Sequence, residues 1–143
     1  MKVEGTFAYP APPERVWSRL LDPVALRACI PGCESLESVG EDRWSARLSV
    51  GAGPVRGTYQ GSVAIANKNE PVSYTLEIEG RGAPGFVKGT AQVTLAAADA
   101  GTRVDVTADG QVGGTVAAVG QRMLSGVARM LMGQFFDCLR TKL

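Results

Sequence analysis

Closely spaced carboxylates are the residues of this 143-residue chain best suited to acid–base chemistry. Glu77 and Glu79, and likewise Asp105 and Asp109, would share one face of a β-strand, because side chains alternate along a strand. Apolar residues occupy the opposite face of both segments. A catalytic carboxylate needs desolvation that shifts its pKa, so this pattern predicts solvated surface groups and no catalytic residues.

Other chemistry-bearing residues are sparse. Histidine, the commonest general base and metal ligand, is absent. The three cysteines, Cys29, Cys33 and Cys138, cannot all pair, and the Cys29–Cys33 spacing matches neither zinc nor thioredoxin motifs. We therefore expect free thiols in a reducing compartment and no metal site.

Charge and hydropathy exclude further classes of protein. A net charge of +1 without charge runs argues against a nucleic-acid partner. No segment has the apolar pattern of a signal peptide or a membrane span. These features predict a soluble cytoplasmic protein.

A glycine-rich segment, Gly80–Phe86, is a weak phosphate-binding signal, because no helix start with Lys-Ser/Thr follows it. Two interpretations stay open. The segment is either a plain hairpin connection or a mobile rim over a cavity mouth. The rim would comprise Gly82, Pro84, Gly85 and Phe86, with Phe86 as its gate.

Hydropathy patterns indicate the elements that position these residues. Period-two alternation predicts strands over residues 2–9, 43–50, 55–65, 74–79, 87–95 and 103–108, with a flexible connection at 80–85. Helical spacing predicts short helices near 14–21 and 24–29 and a proline-free helix over 115–143, roughly 43 Å long. The short connections imply antiparallel neighbours. We therefore predict one α+β domain over residues 1–143, in which a curved sheet of six to seven strands wraps around the long C-terminal helix and two short helices follow strand 1.

The predicted C-terminal helix is amphipathic. Its apolar face holds Val116, Gly120, Met123, Leu124, Val127, Met130, Leu131, Phe135 and Cys138. The opposite face holds Arg122, Ser125, Arg129, Gly133 and Arg140, with Phe136 among the cations. This basic face either lies on anionic lipid with Phe136 exposed, or is solvated while Phe136 and Leu139 pack on the short helices.

Inward positions of the sheet and helix form either a filled core or the wall of a ligand cavity. Many of them are glycine or alanine, which leaves either close packing or space. Tyr59 and Tyr74 are the inward groups that could polarise a ligand oxygen, and each also fits as a core aromatic. The predicted ligand-binding residues are Phe7, Trp44, Leu48, Tyr59, Val63, Leu76, Val87, Val93, Val106, Val116, Val119, Gly120, Met123, Leu124 and Val127.

Five segments, in this order, resemble the CoxG family, which is named for the CoxG subunit of carbon monoxide dehydrogenase and belongs to the START-like helix-grip superfamily, SRPBCC. They are Cys29–Glu34, Gly57–Gly61, Gly110–Gly114, Gly120–Leu124 and Gln134–Phe136. The resemblance covers essentially the whole chain and implies a helix-grip fold with an internal hydrophobic cavity. It also implies association with molybdenum-containing CO-dehydrogenase-type oxidoreductases and with the membrane. Many relatives continue into an apolar C-terminal tail that this sequence lacks, so stable self-anchoring in a bilayer is not expected.

With this resemblance, the leading hypothesis is non-enzymatic binding of a lipophilic small molecule. An isoprenoid quinone would suit the association with a CO-dehydrogenase-like oxidoreductase and peripheral contact at the inner membrane face. The alternative is a ligand-free adaptor or maturation protein that recruits such an enzyme to the membrane, and it predicts an exposed Phe136 and a filled core. A third reading, a hydrolase or cyclase on the same fold, is disfavoured by the absence of histidine and of inward carboxylates.

Overall fold

The computed structural model describes residues 1–51 and 53–143 and has the predicted α+β architecture. Its strands are β1 (Lys2–Tyr9), β2 (Cys33–Gly40), β3 (Arg43–Val50), β4 (Gly57–Asn69), β5 (Ser73–Gly82), β6 (Gly85–Ala98) and β7 (Gly101–Gly113). Its helices are α1 (Pro13–Leu20), α2 (Pro23–Cys29) and α3 (Gln121–Arg140), with 3-10 turns at Gly53–Val55 and Thr115–Val119. The strands form one antiparallel sheet in the order β1-β7-β6-β5-β4-β3-β2.

Two short helices follow β1 because the local sequence starts and stops them. Proline opens each helix, where its missing N–H needs no partner. The Asp22 side chain accepts a hydrogen bond from the backbone N–H of Val24 at 3.0 Å and so caps α2. α2 ends at Cys29, and a loop through Pro31 and Gly32 leads into β2.

The C-terminal helix is shorter than the sequence pattern predicts. α3 begins at Gln121, because Gly120 has a φ of 91° and a ψ of 154°, which no helix accommodates. The preceding residues, Thr115–Val119, form a 3-10 turn. The expected 29-residue helix is therefore wrong, and the helical part spans roughly 30 Å. No helix among the described residues has the length and hydrophobicity that crossing a membrane requires.

The glycine-rich segment contains the turn of the β5–β6 hairpin. β5 continues to Gly82 and β6 begins at Gly85, so the expected flexible connection over residues 80–85 is wrong. The Pro84 carbonyl accepts hydrogen bonds from the Val116 N–H at 2.8 Å and from the Thr115 hydroxyl at 2.9 Å. The tip of the hairpin is thereby tied to the second 3-10 turn.

A filled core lies between the sheet, α1, α2 and the C-terminal half of α3. Val16, Val104 and Leu139 are completely inaccessible to solvent. Phe136 is 5% exposed, which excludes the interpretation in which it faces lipid. The other buried members of the core are Tyr9, Ala11, Trp17, Leu20, Leu26, Trp44, Ile65, Tyr74, Ala91, Val93, Leu95 and Val106.

Cys29 and Cys138 form a disulfide bond between α2 and the last turn of α3. Their Cα atoms lie 5.3 Å apart, although the two residues are 109 positions apart in the sequence. The expectation of three free thiols is therefore wrong, and Cys33 alone of the three is free. Sequence spacing could not reveal the bond, because only the packing of α3 on α2 brings the two sulfurs together.

Candidate functional site

The sheet holds α3 tightly on the side of β1. The rings of Phe7 and Phe136 stack with centroids 4.1 Å apart, and the Tyr9 hydroxyl donates a hydrogen bond to the Phe136 carbonyl at 2.8 Å. The Arg140 guanidinium donates to the Ala8 carbonyl at 2.7 Å. A Cβ atom at Gly5 would lie 3.0 Å from the Met132 sulfur, so helix and strand are in close contact here. This side of the helix leaves no room for a ligand.

The opposite side of α3 is open. A cleft of about 390 Å³ separates the middle of the helix from the end of β3 and the loop after α2. This volume lies within the range typical of small-molecule sites. The lining residues of this α3–β3 cleft are Pro31, Gly32, Ser49, Val50, Gly51, Met130, Leu131 and Gln134.

One flank of α3 leaves apolar side chains in contact with solvent. Met123 and Met130 are 53% and 45% exposed, whereas Leu124, Phe136 and Leu139 are buried. The prediction that Met123 faces inward is therefore wrong, because α3 packs through a face turned toward Phe136 and Leu139. At about 100° per residue, the residues of this cleft flank form one stripe along the helix: Met123, Val127, Met130, Gln134 and Cys138.

The concave face of the sheet is not fully covered by α3. α3 packs chiefly on β1, α2 and the second 3-10 turn, and less on β3 to β6. Side chains that would be buried in a filled core keep partial contact with solvent there. These half-buried inward residues are Leu48, Val63, Leu76 and Val87 on the strands and Val127 on α3.

The predicted ligand-binding residues fall into several environments. Three are packed in the filled core: Trp44, Val93 and Val106. Three are buried outside that core: Tyr59, Val116 and Leu124. Phe7 and Val119 are half-buried, the former stacked on Phe136, and Gly120 is exposed at the start of α3. The remaining predicted ligand-binding residues are the exposed Met123 and the five half-buried inward residues named above. The role of all these residues in binding stays a prediction.

Tyr59 and Tyr74, the tyrosines predicted to polarise a ligand oxygen, are not poised as bases. The Tyr59 hydroxyl donates a hydrogen bond to the Val55 carbonyl at 2.7 Å. Tyr74 packs edge-on against Trp17, with ring centroids 5.4 Å apart. Burial raises the pKa of both Tyr59 and Tyr74, so both phenols are protonated at neutral pH. The Tyr59 hydroxyl already donates its hydrogen bond within the protein, so both tyrosines act as buried aromatic residues.

The predicted rim residues lie apart from the cleft. Gly82 pairs with Gly85 at the end of the β5–β6 hairpin, and Pro84 covers Gly57 closely enough to leave no room for a Cβ atom. Phe86 is 42% exposed, and the Arg81 guanidinium lies 5.9 Å from its ring centroid. None of the four residues lines the α3–β3 cleft, and their role as a rim stays a prediction.

The carboxylates lie on the outer face of the sheet. Glu79 pairs with Lys88 at 3.6 Å, Asp105 with Arg103 at 3.0 Å, and Asp109 with the N-terminal amino group at 3.7 Å. A groove of about 670 Å³ on this face is lined largely by polar residues, including Glu77, Glu79 and Asp109. Within the described part of the chain, no cluster of three or more His, Cys, Asp or Glu residues could hold a metal ion.

The wall of the cleft opposite α3 was missed by sequence reasoning. Gly32 has a φ of 73°, and a Cβ atom there would overlap the Ser49 carbonyl. The Ser49 N–H also donates to the Gly32 carbonyl at 2.9 Å. The Pro31-Gly32 pair was a turn signal in the sequence, but nothing local indicated that this turn docks on the end of β3.

Comparisons with known proteins agree with this architecture. The family model that describes CoxG, a subunit of carbon monoxide dehydrogenase, matches residues 5–143. A search of the curated proteins finds no match. A conserved protein from Geobacillus kaustophilus is 38% identical, with a TM-score of 0.96 over 99% of this chain and 94% of that one.

More distant solved structures share the fold. A START superfamily protein from Mycobacterium smegmatis has a TM-score of 0.76 at 14% identity, covering 99% of this chain and 95% of that one. A protein from Chromobacterium violaceum has a TM-score of 0.74 at 17% identity, covering 98% and 94%. With its START-like helix-grip fold and the match over residues 5–143, this chain belongs to the CoxG family of carbon monoxide dehydrogenase subunits.

Proposed function

We propose that this protein is a non-enzymatic carrier that binds a lipophilic small molecule between α3 and the concave face of the sheet. The observation that carries the proposal is the incomplete cover of that face. Leu48, Val63 and Val87 stay half-buried where a filled core would bury them, and the α3–β3 cleft opens along one flank of α3. Apolar walls with an opening to solvent are typical of sites for hydrophobic ligands.

An isoprenoid quinone is the proposed ligand. Burying its chain would provide most of the affinity, at roughly 25 cal/mol per Å² of apolar surface before the costs of association. Gln134 is a polar residue of the cleft on α3, and a glutamine side chain can donate a hydrogen bond to a quinone carbonyl. The family name supports a CO-dehydrogenase-type molybdenum oxidoreductase as the partner. Such an enzyme passes electrons to an acceptor, and a quinone carrier would link it to the membrane.

Lipid capture tests this proposal. The purified protein is mixed with a bacterial lipid extract, re-isolated by gel filtration and analysed by mass spectrometry for bound small molecules. A quinone retained near one molecule per chain is expected. A protein that emerges without any lipophilic molecule, from this extract and from a titration with decylubiquinone, would contradict the proposal.

The ligand-free adaptor has less support. It predicted an exposed Phe136 and a filled core. Phe136 is buried against Phe7, whereas a filled core is present beside the C-terminal half of α3. The basic face is also smaller than the helical wheel suggests, because Arg140 lies 4.9 Å from the Tyr9 ring centroid and donates to the Ala8 carbonyl. Arg122 and Arg129 are exposed and would carry any contact with anionic lipid. Co-sedimentation with phosphatidylglycerol vesicles, compared between the wild type and an Arg122→Glu/Arg129→Glu variant, tests that contact.

A further inference from the structure

We infer that the α3–β3 cleft is the passage through which the ligand enters and leaves, and that the Cys29–Cys138 disulfide holds its walls together. Reduction of this bond would therefore speed up ligand exchange. The passage rests on the proposed function, whereas the effect of the disulfide on the cleft can be measured without any ligand.

The disulfide joins the two walls of the cleft at one end. Pro31 and Gly32 form part of one wall, and only Ile30 separates them from Cys29. Gln134 belongs to the other wall, and Cys138 lies one helical turn beyond it on the same stripe of α3. The covalent bond thus connects the loop after α2 to the flank of the helix that faces it.

The remaining strong attachments of α3 lie on its other side. Phe136 stacks on Phe7 and Arg140 donates to Ala8, both in β1. At the N-terminal end of the helix, Gly120 has a positive φ, and no atom lies within 4 Å of the position of a Cβ. A glycine in open space at a helix start can absorb a change in backbone angles. With the disulfide broken, α3 would keep its contacts with β1, while only non-covalent packing with α2 would restrain the cleft side.

The exposed methionines suit a passage for an apolar molecule. Met123 and Met130 belong to the same stripe and are about half exposed. An unbranched, flexible thioether side chain adapts to differently shaped apolar partners. An exposed apolar patch commonly marks a surface that contacts a hydrophobic ligand or partner.

Opening requires a dithiol reductant. One of its thiolates attacks a sulfur of the Cys29–Cys138 bond and forms a mixed disulfide, and its second thiol resolves that intermediate. The reductant loses two electrons and two protons and becomes a disulfide. Cys29 and Cys138 gain them as two thiols. Cys33 is a suitable control, because burial raises the pKa of its thiol and keeps it in the less reactive protonated form.

Hydrogen–deuterium exchange measures the cleft without a ligand. The oxidised wild type is compared with the dithiothreitol-reduced wild type, with a Cys29→Ala/Cys138→Ala variant and with Cys33→Ala. Backbone amides of Gly32 and of residues 49–51 and 123–134 should exchange faster in the reduced protein and in the double variant. Cys33→Ala should behave like the wild type. Equal exchange rates in the oxidised and reduced forms would overturn the inference.

Stopped-flow fluorescence measures the passage. The probe is decylubiquinone, with quenching of tryptophan fluorescence as the signal and no reductant present. We expect the double variant to bind and release decylubiquinone about tenfold faster than the oxidised wild type, with a similar Kd. Met130→Trp, which narrows the cleft, should slow both rates, with Thr90→Trp on the outer face as control. If both variants bind decylubiquinone with unchanged rates, the inference that the cleft is the passage is wrong, while the proposed function stands. If no form of the protein binds it, both the proposed function and the passage are contradicted.

Discussion

Phe7 of β1 and Phe136 of α3 stack with ring planes only 15° apart, and this contact fixes the long helix on one edge of the sheet. Two further contacts between α3 and β1 reinforce this stacking. Met132 lies close to Gly5, and Arg140 donates a hydrogen bond to the Ala8 carbonyl. On the other flank of α3 a cleft replaces such contacts. The helix is thus held firmly on one side, and the space beside the sheet stays open on the other.

Removing the Phe136 ring should be strongly destabilising. We expect Phe136→Ala to lower the free energy of unfolding by about 3–5 kcal/mol, because it deletes a buried aromatic side chain and leaves a cavity. Met130→Ala, on the exposed flank of the same helix, should cost less than about 1 kcal/mol. Urea denaturation at neutral pH measures both. Equal losses would show that α3 is not fixed through the β1 side.

Substituting alanine for Gly120 should destabilise the protein, whereas substituting alanine for Gly126 should stabilise it. Neither position has an atom within 4 Å of a Cβ, so crowding plays no part. Gly120 has φ and ψ values that only glycine adopts easily, and Gly120→Ala should cost about 1–3 kcal/mol. Gly126 lies inside α3, where alanine is favoured over glycine by about 1 kcal/mol. Thermal and urea denaturation of both variants measure the change in the free energy of unfolding. A stabilising Gly120→Ala would mean that the helix continues through residue 120 in solution.

Filling the open space should abolish binding without unfolding the protein. Val63 is a half-buried inward residue of β4, and its neighbour Ser62 is exposed on the outer face. We expect Val63→Trp to reduce decylubiquinone affinity at least about tenfold, because the indole occupies the proposed site. Ser62→Trp adds the same side chain to the same strand and should bind like the wild type. Titration by fluorescence quenching compares them, with circular dichroism as the check on folding, and equal affinities would place the ligand elsewhere.

Local patterns were sufficient to predict the fold class. Period-two alternation located six of the seven strands and missed β2, and helical spacing located the two short helices. Local patterns did not predict features that depend on the backbone angles of a single glycine or on contacts between segments distant in sequence. An apolar periodicity runs through Gly120 unchanged, so the wheel could not show that the helix begins at Gln121.

The candidate site was predicted less well than the fold. Hydropathy indicated which strand residues face inward, but it could not distinguish Val63, which is half-buried, from Trp44, which is packed in the core. That difference depends on where α3 lies above the sheet. The cleft depends on Gly32 docking at Ser49 and on the bond between Cys29 and Cys138, and both are contacts between segments distant in sequence.

Loss of the disulfide should lower stability. A cross-link between residues 109 apart removes much conformational freedom from the unfolded chain. We expect Cys29→Ala/Cys138→Ala to lose about 2–5 kcal/mol of unfolding free energy. Dithiothreitol should lower the stability of the wild type and leave that of the double variant unchanged. Cys33→Ala should lose stability under dithiothreitol just as the wild type does. A wild type that is indifferent to the reductant would contradict the presence of this bond in solution.

Alkaline pH should destabilise the protein through Tyr9 and Tyr74. Burial raises the pKa of both phenols, and Tyr9 also donates its proton to the Phe136 carbonyl. Above about pH 10 the unfolded chain releases these protons while the folded protein retains them, so the free energy of unfolding falls as pH rises. Each tyrosine contributes a slope of up to about 1.4 kcal/mol per pH unit in that range. Urea denaturation of the wild type and of Tyr74→Phe, from about pH 8 to about pH 11, should show a shallower decline in the variant. Parallel curves would mean that Tyr74 ionises as easily in the folded protein as in the unfolded chain, and that the core beside Trp17 admits water.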